Sequence, residues 1–119
     1  MEKFTDYCQI YLKFLDLSQA VRQSAAYPEL DLAEERLLDQ LAASWCVGKR
    51  ITVVKAMQMS PDASSTTVHR RLKTLRSKGM LELEMDEDDN RVKYIVATQL
   101  SRQYLGGLGE SVVQAAVAS

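Results

Sequence analysis

The sequence predicts a mainly α-helical chain with one small β-hairpin. Three observations predict it. Apolar residues recur at three- and four-residue steps over most of the chain. The period shortens to two over Leu81–Asp86 and again over Val92–Val96. Ser, Thr and Asp stand just ahead of the helical stretches, and Gly48 and Gly79 stand just behind two of them. The length of 119 residues suits one domain with a real core, and 46% hydrophobic with 26% charged residues argues against disorder.

The first 26 residues read as one helix, with Phe4, Tyr7, Cys8, Tyr11, Leu12, Leu15 and Val21 forming its stripe. Pro28 ends it near Tyr27. A lone amphipathic helix at a terminus needs a cover for its stripe, and in so short a chain a second copy of the protein is a plausible one. The second helix opens at Asp31, an N-cap whose Glu34 sits at the capping-box position. Leu37, Leu38, Leu41, Ala42 and Trp45 make its apolar face, and Gly48 stops it. Ile51–Met59 reads as about two helical turns with Val54 and Met57 inward, although so β-branched a piece also fits a strand. Ser60-Pro61-Asp62 reads as a turn.

Ser64 or Ser65 caps the next helix, which runs to about Ser77 and closes at Gly79. At about 100° per residue, Val68, Leu72 and Leu75 share one side, while Thr66, His69, Arg70, Lys73 and Ser77 share the other. Leu81, Leu83 and Met85 alternate with Glu82, Glu84 and Asp86 as a half-buried strand. Glu87–Arg91 is a polar turn in which Asn90 can be left-handed, and Val92, Tyr94 and Val96 alternate with Lys93 and Ile95 on the return. Thr98 caps a last helix begun by Leu100, Tyr104 and Leu105. Gly106, Gly107 and Gly109 predict a kink or fraying before Val112, Val113, Ala116 and Val117 resume the pattern.

Several classes of chemistry lack their residues. Two cysteines and one histidine are too few for a disulfide framework or a Cys-based zinc site. Gly-x-Ser-x-Gly, Gly-x-Gly-x-x-Gly and Walker A motifs are all missing. Composition therefore leans against an enzyme, and no cofactor is expected. No apolar run nears the roughly 20 residues of a membrane span, and the first residues lack a secretory layout, so a cytoplasmic chain is expected. Cys8 invites a redox reading, but a thiol on an apolar stripe is more often core or interface. Cys46 beside Trp45 reads as packing, and Met57, Met59, Met80 and Met85 read as core fillers.

The charge pattern says more than the net charge of -1. From Ala63 to Leu81 there is no acidic residue, while His69, Arg70, Arg71, Lys73, Arg76 and Lys78 crowd together. Six carboxylates follow between Glu82 and Asp89. Helix, helix, short helix, turn, basic helix and hairpin is the order of a winged helix-turn-helix. A helix fits the major groove of B-DNA, where base edges are distinguishable. Ser65, Thr66, His69 and Arg70 lie near the helix start and are candidates for base contact, Arg70 by a fork onto guanine. Lys73 and Arg76 lie further along, where phosphate contacts position without specifying. Ser64 and the free amides of the helix start suit a phosphate. Arg71, about 140° from Thr66, lies at the flank and reads as structural. The plain alternative is a solvated basic face; the total absence of acids favours DNA.

Leu32–Leu105 resembles the MarR family of bacterial transcription regulators. Ser65-Thr66-Thr67-Val68-His69-Arg70 through Leu75-Arg76-Ser77-Lys78-Gly79-Met80-Leu81 is similar to the family's recognition helix and its exit. Asp86-Glu87-Asp88-Asp89-Asn90-Arg91 is similar to its wing tip, and Thr98 matches a threonine before the last helix. Asn90 stands where a second wing arginine is common, and Ala97 replaces a usual leucine. The resemblance implies a homodimer on double-stranded DNA, regulating transcription, with Arg91 entering the minor groove and Asp86 or Asp89 orienting it by an ion pair. It implies a single winged-helix domain over 1–119, with a core over 30–98 and dimerisation helices over 1–27 and 99–119. It also implies a dimer cleft able to take a small effector, which no residue here identifies. The rival reading is a winged helix that docks a protein partner without binding DNA.

Overall fold

The computed structural model describes residues 5–60 and 63–117. Phe4 and the Pro61-Asp62 part of the expected turn lie outside the described residues. The order is α1 (Asp6–Arg22), α2 (Leu32–Cys46), β1 (Ile51–Thr52), α3 (Val53–Met57), α4 (Ser65–Ser77), β2 (Leu81–Met85), β3 (Lys93–Ala97) and α5 (Gln99–Val117). The mainly helical class with a small antiparallel sheet is as the sequence predicts. Two compact units result. Leu30–Ser101 is one; α1 and the part of α5 from Arg102 onward belong to the other.

In the first unit the core is aliphatic. Leu37, Leu38 and Leu41 of α2, Ala56 of α3, and Val68, Leu72 and Leu75 of α4 are buried with Ile51, Met80, Leu81 and Ile95. Asp31 caps α2 through a full capping box: its side chain accepts from the Glu34 amide at 2.8 Å, and Glu34 Oε1 accepts from the Asp31 amide at 2.8 Å. Trp45 is half-buried and its indole N–H donates to the Ile95 carbonyl at 3.0 Å, tying α2 to the sheet. Gly48 (φ 72°) and Gly79 (φ 80°) take the left-handed conformations that end α2 and α4.

The sheet has three strands, not two, in the order β1-β3-β2. Ile51 pairs with Ile95 and Thr52 with Tyr94, so the piece read as two helical turns is divided. Thr52 makes the division: its side chain accepts from the Lys55 amide at 3.1 Å and caps α3. Val54 is consequently exposed (67%) rather than inward, and Ala56 takes the buried place, with Met57 half-buried. In the hairpin Leu83 faces Ile95 and Glu84 faces Tyr94. Leu81 and Ile95 are buried; Tyr94 and Val96 lie half-buried on the opposite face. Met85, expected inward, is exposed because it pairs with Lys93 at the open end of the ribbon. Cys46, expected to pack, is exposed at the last position of α2. No non-glycine described residue has positive φ, so Asn90 is not left-handed.

In the second unit, α1 stops at Arg22, short of the expected 26, because the Ser24 hydroxyl accepts from the Ala26 amide at 3.2 Å and competes with the helix. Tyr27 and Tyr104 meet edge to face at 5.2 Å. The expected fraying in α5 does not occur; the helix runs through all three glycines. A side chain at Gly107 would meet Val21 Cγ1 at 3.2 Å, so that glycine permits close approach of α1. Among the described residues, nothing outside the helix's own neighbouring backbone lies within 4 Å of where a Cβ would stand at Gly106 or Gly109. Gly106→Ala and Gly109→Ala are each expected to raise stability by about 0.5–1 kcal/mol through helix propensity, with a smaller gain at Gly107→Ala. Thermal midpoints of the three variants check this; equal gains at all three would show that the contact with Val21 is slack.

Candidate nucleic-acid interface

The sequence places an amphiphile at 64–78, and its two sides separate cleanly in space. Ser64 is the N-cap of α4, its side chain accepting from the Thr67 amide at 3.1 Å. Val68, Leu72 and Leu75 are buried, whereas Ser65, Thr66, His69, Arg70, Lys73, Arg76 and Ser77 are exposed. All seven exposed side chains belong to one helix of 13 residues with no carboxylate of its own. Arg71 and Lys78 are the half-buried exceptions within the basic block, and Lys78 is paired. Its Nζ donates to Glu34 Oε1 and Oε2 at 2.9 and 3.0 Å, so it joins α4 to α2 and leaves the exposed face. Sequence reasoning missed this pair, which spans 44 residues; the capping-box position of Glu34 was the only local signal.

The wing brings Arg91 to the same side. A groove of about 460 Å³ lies between α3, α4 and the ribbon, with His69, Arg91, Lys93, Val53 and Leu83 among its walls. A smaller space of about 150 Å³, sharing His69, Lys93 and Val53, continues it to Lys73 and Arg76. The candidates His69, Lys73, Arg76 and Arg91 thus border one apolar-floored groove, and among the described residues no carboxylate lines it. Lys93 is a further cation there that the sequence pattern does not single out, because it stands there only as one residue of an alternating strand. Ser65, Thr66 and Arg70 of α4 and its N-cap Ser64 lie outside that lining.

The two glutamates of β2 stand away from this groove. Glu82 and Glu84 stand opposite Val96 and Tyr94, the sheet face away from Leu83 and Lys93. There Arg50 lies 3.7 Å over the Tyr94 ring and 3.8 Å from Glu84, and the Tyr94 hydroxyl donates to Asp86 at 3.5 Å. Of the two aspartates implied as partners of Arg91, Asp89 is the one engaged. Arg91 Nε and Nη2 donate to its two carboxylate oxygens at 3.0 and 3.1 Å, and the Arg91 amide donates to Oδ1 at 3.0 Å. The fork fixes the guanidinium although Arg91 itself is 87% exposed.

The side-chain and backbone hydrogen bonds from Arg91 hold the Asp89 carboxyl below its ordinary range, and Asp89 holds the Arg91 guanidinium above its own. A carboxylate with a lowered folded-state value keeps its contribution at every pH above its unfolded value near 4 and loses it only as the pH falls through the lowered one. The Arg91 Nε–H resonance is therefore expected to stay in its paired position from neutral pH down to about pH 4 and to move only below that. A change between pH 5 and 7 would mean that another group controls the wing.

No protein family's sequence profile matches this chain, and no curated protein matches it. Solved structures do. The transcriptional regulator Tm0710 from Thermotoga maritima is 15% identical with a TM-score of 0.61, over 91% of this chain and 68% of that one. The heme sensor protein PefR from Streptococcus agalactiae, solved in complex with heme, is 17% identical with a TM-score of 0.60, over 100% and 81%. A MarR-like transcriptional regulator from Thermotoga maritima is 16% identical with a TM-score of 0.58, over 98% and 84%. At these identities the likeness is one of fold: the chain has the winged helix-turn-helix fold of MarR-type regulators. Among the described residues, no helix is long and apolar enough to cross a membrane.

Proposed function

We propose that this chain is a MarR-type regulator of transcription that binds double-stranded DNA as a homodimer. The observation that supports it best is the exposed, acid-free face of α4, backed by a buried aliphatic side that fixes which way the cations point. In this reading α4 enters the major groove. Ser65, Thr66, His69 and Arg70 meet base edges; Ser64, Lys73 and Arg76 meet phosphates; Arg91 reaches the minor groove from the wing.

The dimer rests on the second unit. Tyr7, Tyr11, Leu12 and Leu15 of α1 and Val112, Val113 and Val117 of α5 are exposed apolar side chains, Tyr7 at 85%. Apolar residues concentrated on two terminal helices suit a face covered by another copy, and 1–27 with 99–119 are the dimerisation segments of this reading. Two-fold symmetry then requires a near-palindromic site with half-sites about one DNA turn apart.

Selection of bound sequences from a random duplex pool at moderate salt tests the proposal. A two-fold symmetric motif is the expected result. A pool left unenriched, by a protein that is monomeric in sedimentation at micromolar concentration, would defeat it and favour the protein-docking reading.

A further inference from the structure

Lys93 has a place that its strand alone does not explain. It lies on the same face of β3 as the buried Ile95, two residues on, and Leu83 of β2 stands opposite Ile95 on that face. This is the side of the ribbon turned to α4. Tyr94 faces the other way, with Arg50 lying 3.7 Å over its ring and Glu84 across from it. An inward position next to the core of an alternating strand ordinarily carries an apolar side chain. Here it carries an exposed lysine, and that lysine lines both parts of the wing groove.

The groove has a matching make-up. Its floor is aliphatic, with Val53 and Leu83 half-buried. Cations stand on both sides, Lys73 and Arg76 on α4 and Lys93 and Arg91 on the ribbon. A sugar–phosphate strand has the complementary pattern, apolar deoxyribose faces between singly charged phosphates. Duplex geometry leads to the same occupant by another route. One sugar–phosphate strand separates a major groove from the minor groove beside it. A helix in the first and a wing tip in the second straddle that strand, so it passes through the space between α4 and the ribbon.

We propose that the wing groove seats this intervening strand and that Lys93 grips one of its phosphates from the ribbon side, across from Lys73 and Arg76. The proposal rests on the DNA reading and deepens it by adding a phosphate contact that neither α4 nor the wing tip provides. Val53 and Leu83 then lie against the sugar beside that phosphate. Lys93 neutralises charge without reading bases, so it strengthens binding to every sequence alike. An acidic protein segment is the other polymer with a pattern of this kind, and the test separates the two.

The full-length protein is compared with Lys93→Gln, with Lys93→Arg, and with Lys49→Gln, which removes an exposed cation outside the groove lining, once thermal midpoints show that each is folded. Duplex carrying the selected motif is titrated at several salt concentrations, and a single uncharged methylphosphonate is walked along each strand. One contact per protomer makes two per dimer, so Lys93→Gln is expected to have a log K against log salt slope shallower by about 2, while Lys93→Arg and Lys49→Gln keep the original slope. A methylphosphonate between the bases touched by α4 and those touched by the wing should weaken the unaltered protein and leave Lys93→Gln indifferent. An unchanged slope for Lys93→Gln, or an equal loss from that methylphosphonate in both proteins, overturns the seat and leaves the DNA reading standing. If the unaltered protein binds no duplex, both fall, and saturable binding of poly-glutamate that Lys93→Gln abolishes would assign the groove to an acidic partner instead.

Discussion

Replacing Glu34 by alanine is expected to lower folding stability by about 3 kcal/mol, a large effect for a single polar side chain. Glu34 is only 4% exposed and does two things at once. One oxygen accepts from the Asp31 amide and completes the capping box, and both accept from Lys78 Nζ. Alanine removes part of a cap, worth about 1 kcal/mol, and takes the Glu34 carboxylate away from an ammonium group that is mostly withdrawn from water. The Lys78 side chain keeps 30% exposure, so partial rehydration tempers the loss below that of a fully buried pair. Glu34→Gln retains the cap and one hydrogen bond and is expected to cost about half as much. Urea unfolding measures both, and a change within about 0.5 kcal/mol for alanine, the range of ordinary surface sites, would contradict this account of the α2–α4 link.

The second large effect is on DNA. If α4 and the wing meet about four phosphates per protomer, as proposed, a dimer would make about eight contacts, and log K should fall against log salt with a slope of about -7 or steeper. Between 50 and 200 mM salt that amounts to roughly a 10⁴-fold loss of affinity. Within this total the roles divide. Arg70→Ala is expected to relax base preference, at about 1–3 kcal/mol of discrimination, whereas Lys73→Ala should weaken all sequences alike and flatten the slope. Fluorescence anisotropy on specific and scrambled duplexes separates the two. A slope near zero would remove the electrostatic basis of the proposal, and identical behaviour of the two variants would remove the division between them.

What was legible in the sequence was local. Ser64, Asp31 and Thr98 are caps because a short polar side chain reaches an amide two or three residues on, a relation visible in one dimension. The two sides of α4 follow from angular arithmetic over 13 residues, enough turns for the pattern to average out. Short pieces gave less. Ile51–Met57 holds a strand pair and a single helical turn, and its division depends on β3, more than 40 residues away. Val54 and Met85 are apolar yet exposed because position within so short an element, not residue type, decides which side faces the core. Gly107 of α5 marks a passage for α1, which becomes readable only when Val21 is seen across from it. Of the site residues, those on α4 could be grouped by pattern, but the engagement of Arg91 by Asp89 and the withdrawal of Lys78 depend on tertiary placement.

Thr98 has a consequence for how such a protein would measure its target. Its hydroxyl donates to the Gly79 carbonyl at 2.6 Å while also accepting from the Ser101 amide at 3.0 Å. The end of α4, the end of β3 and the start of α5 are pinned at one atom, so helix and ribbon travel as a single calliper. On any duplex the offset between the bases touched by the helix and those touched by the wing is then a constant of the protomer. Chemical footprints on unlike sequences should share that offset, with all adjustment left to the bend of the nucleic acid and the span between protomers.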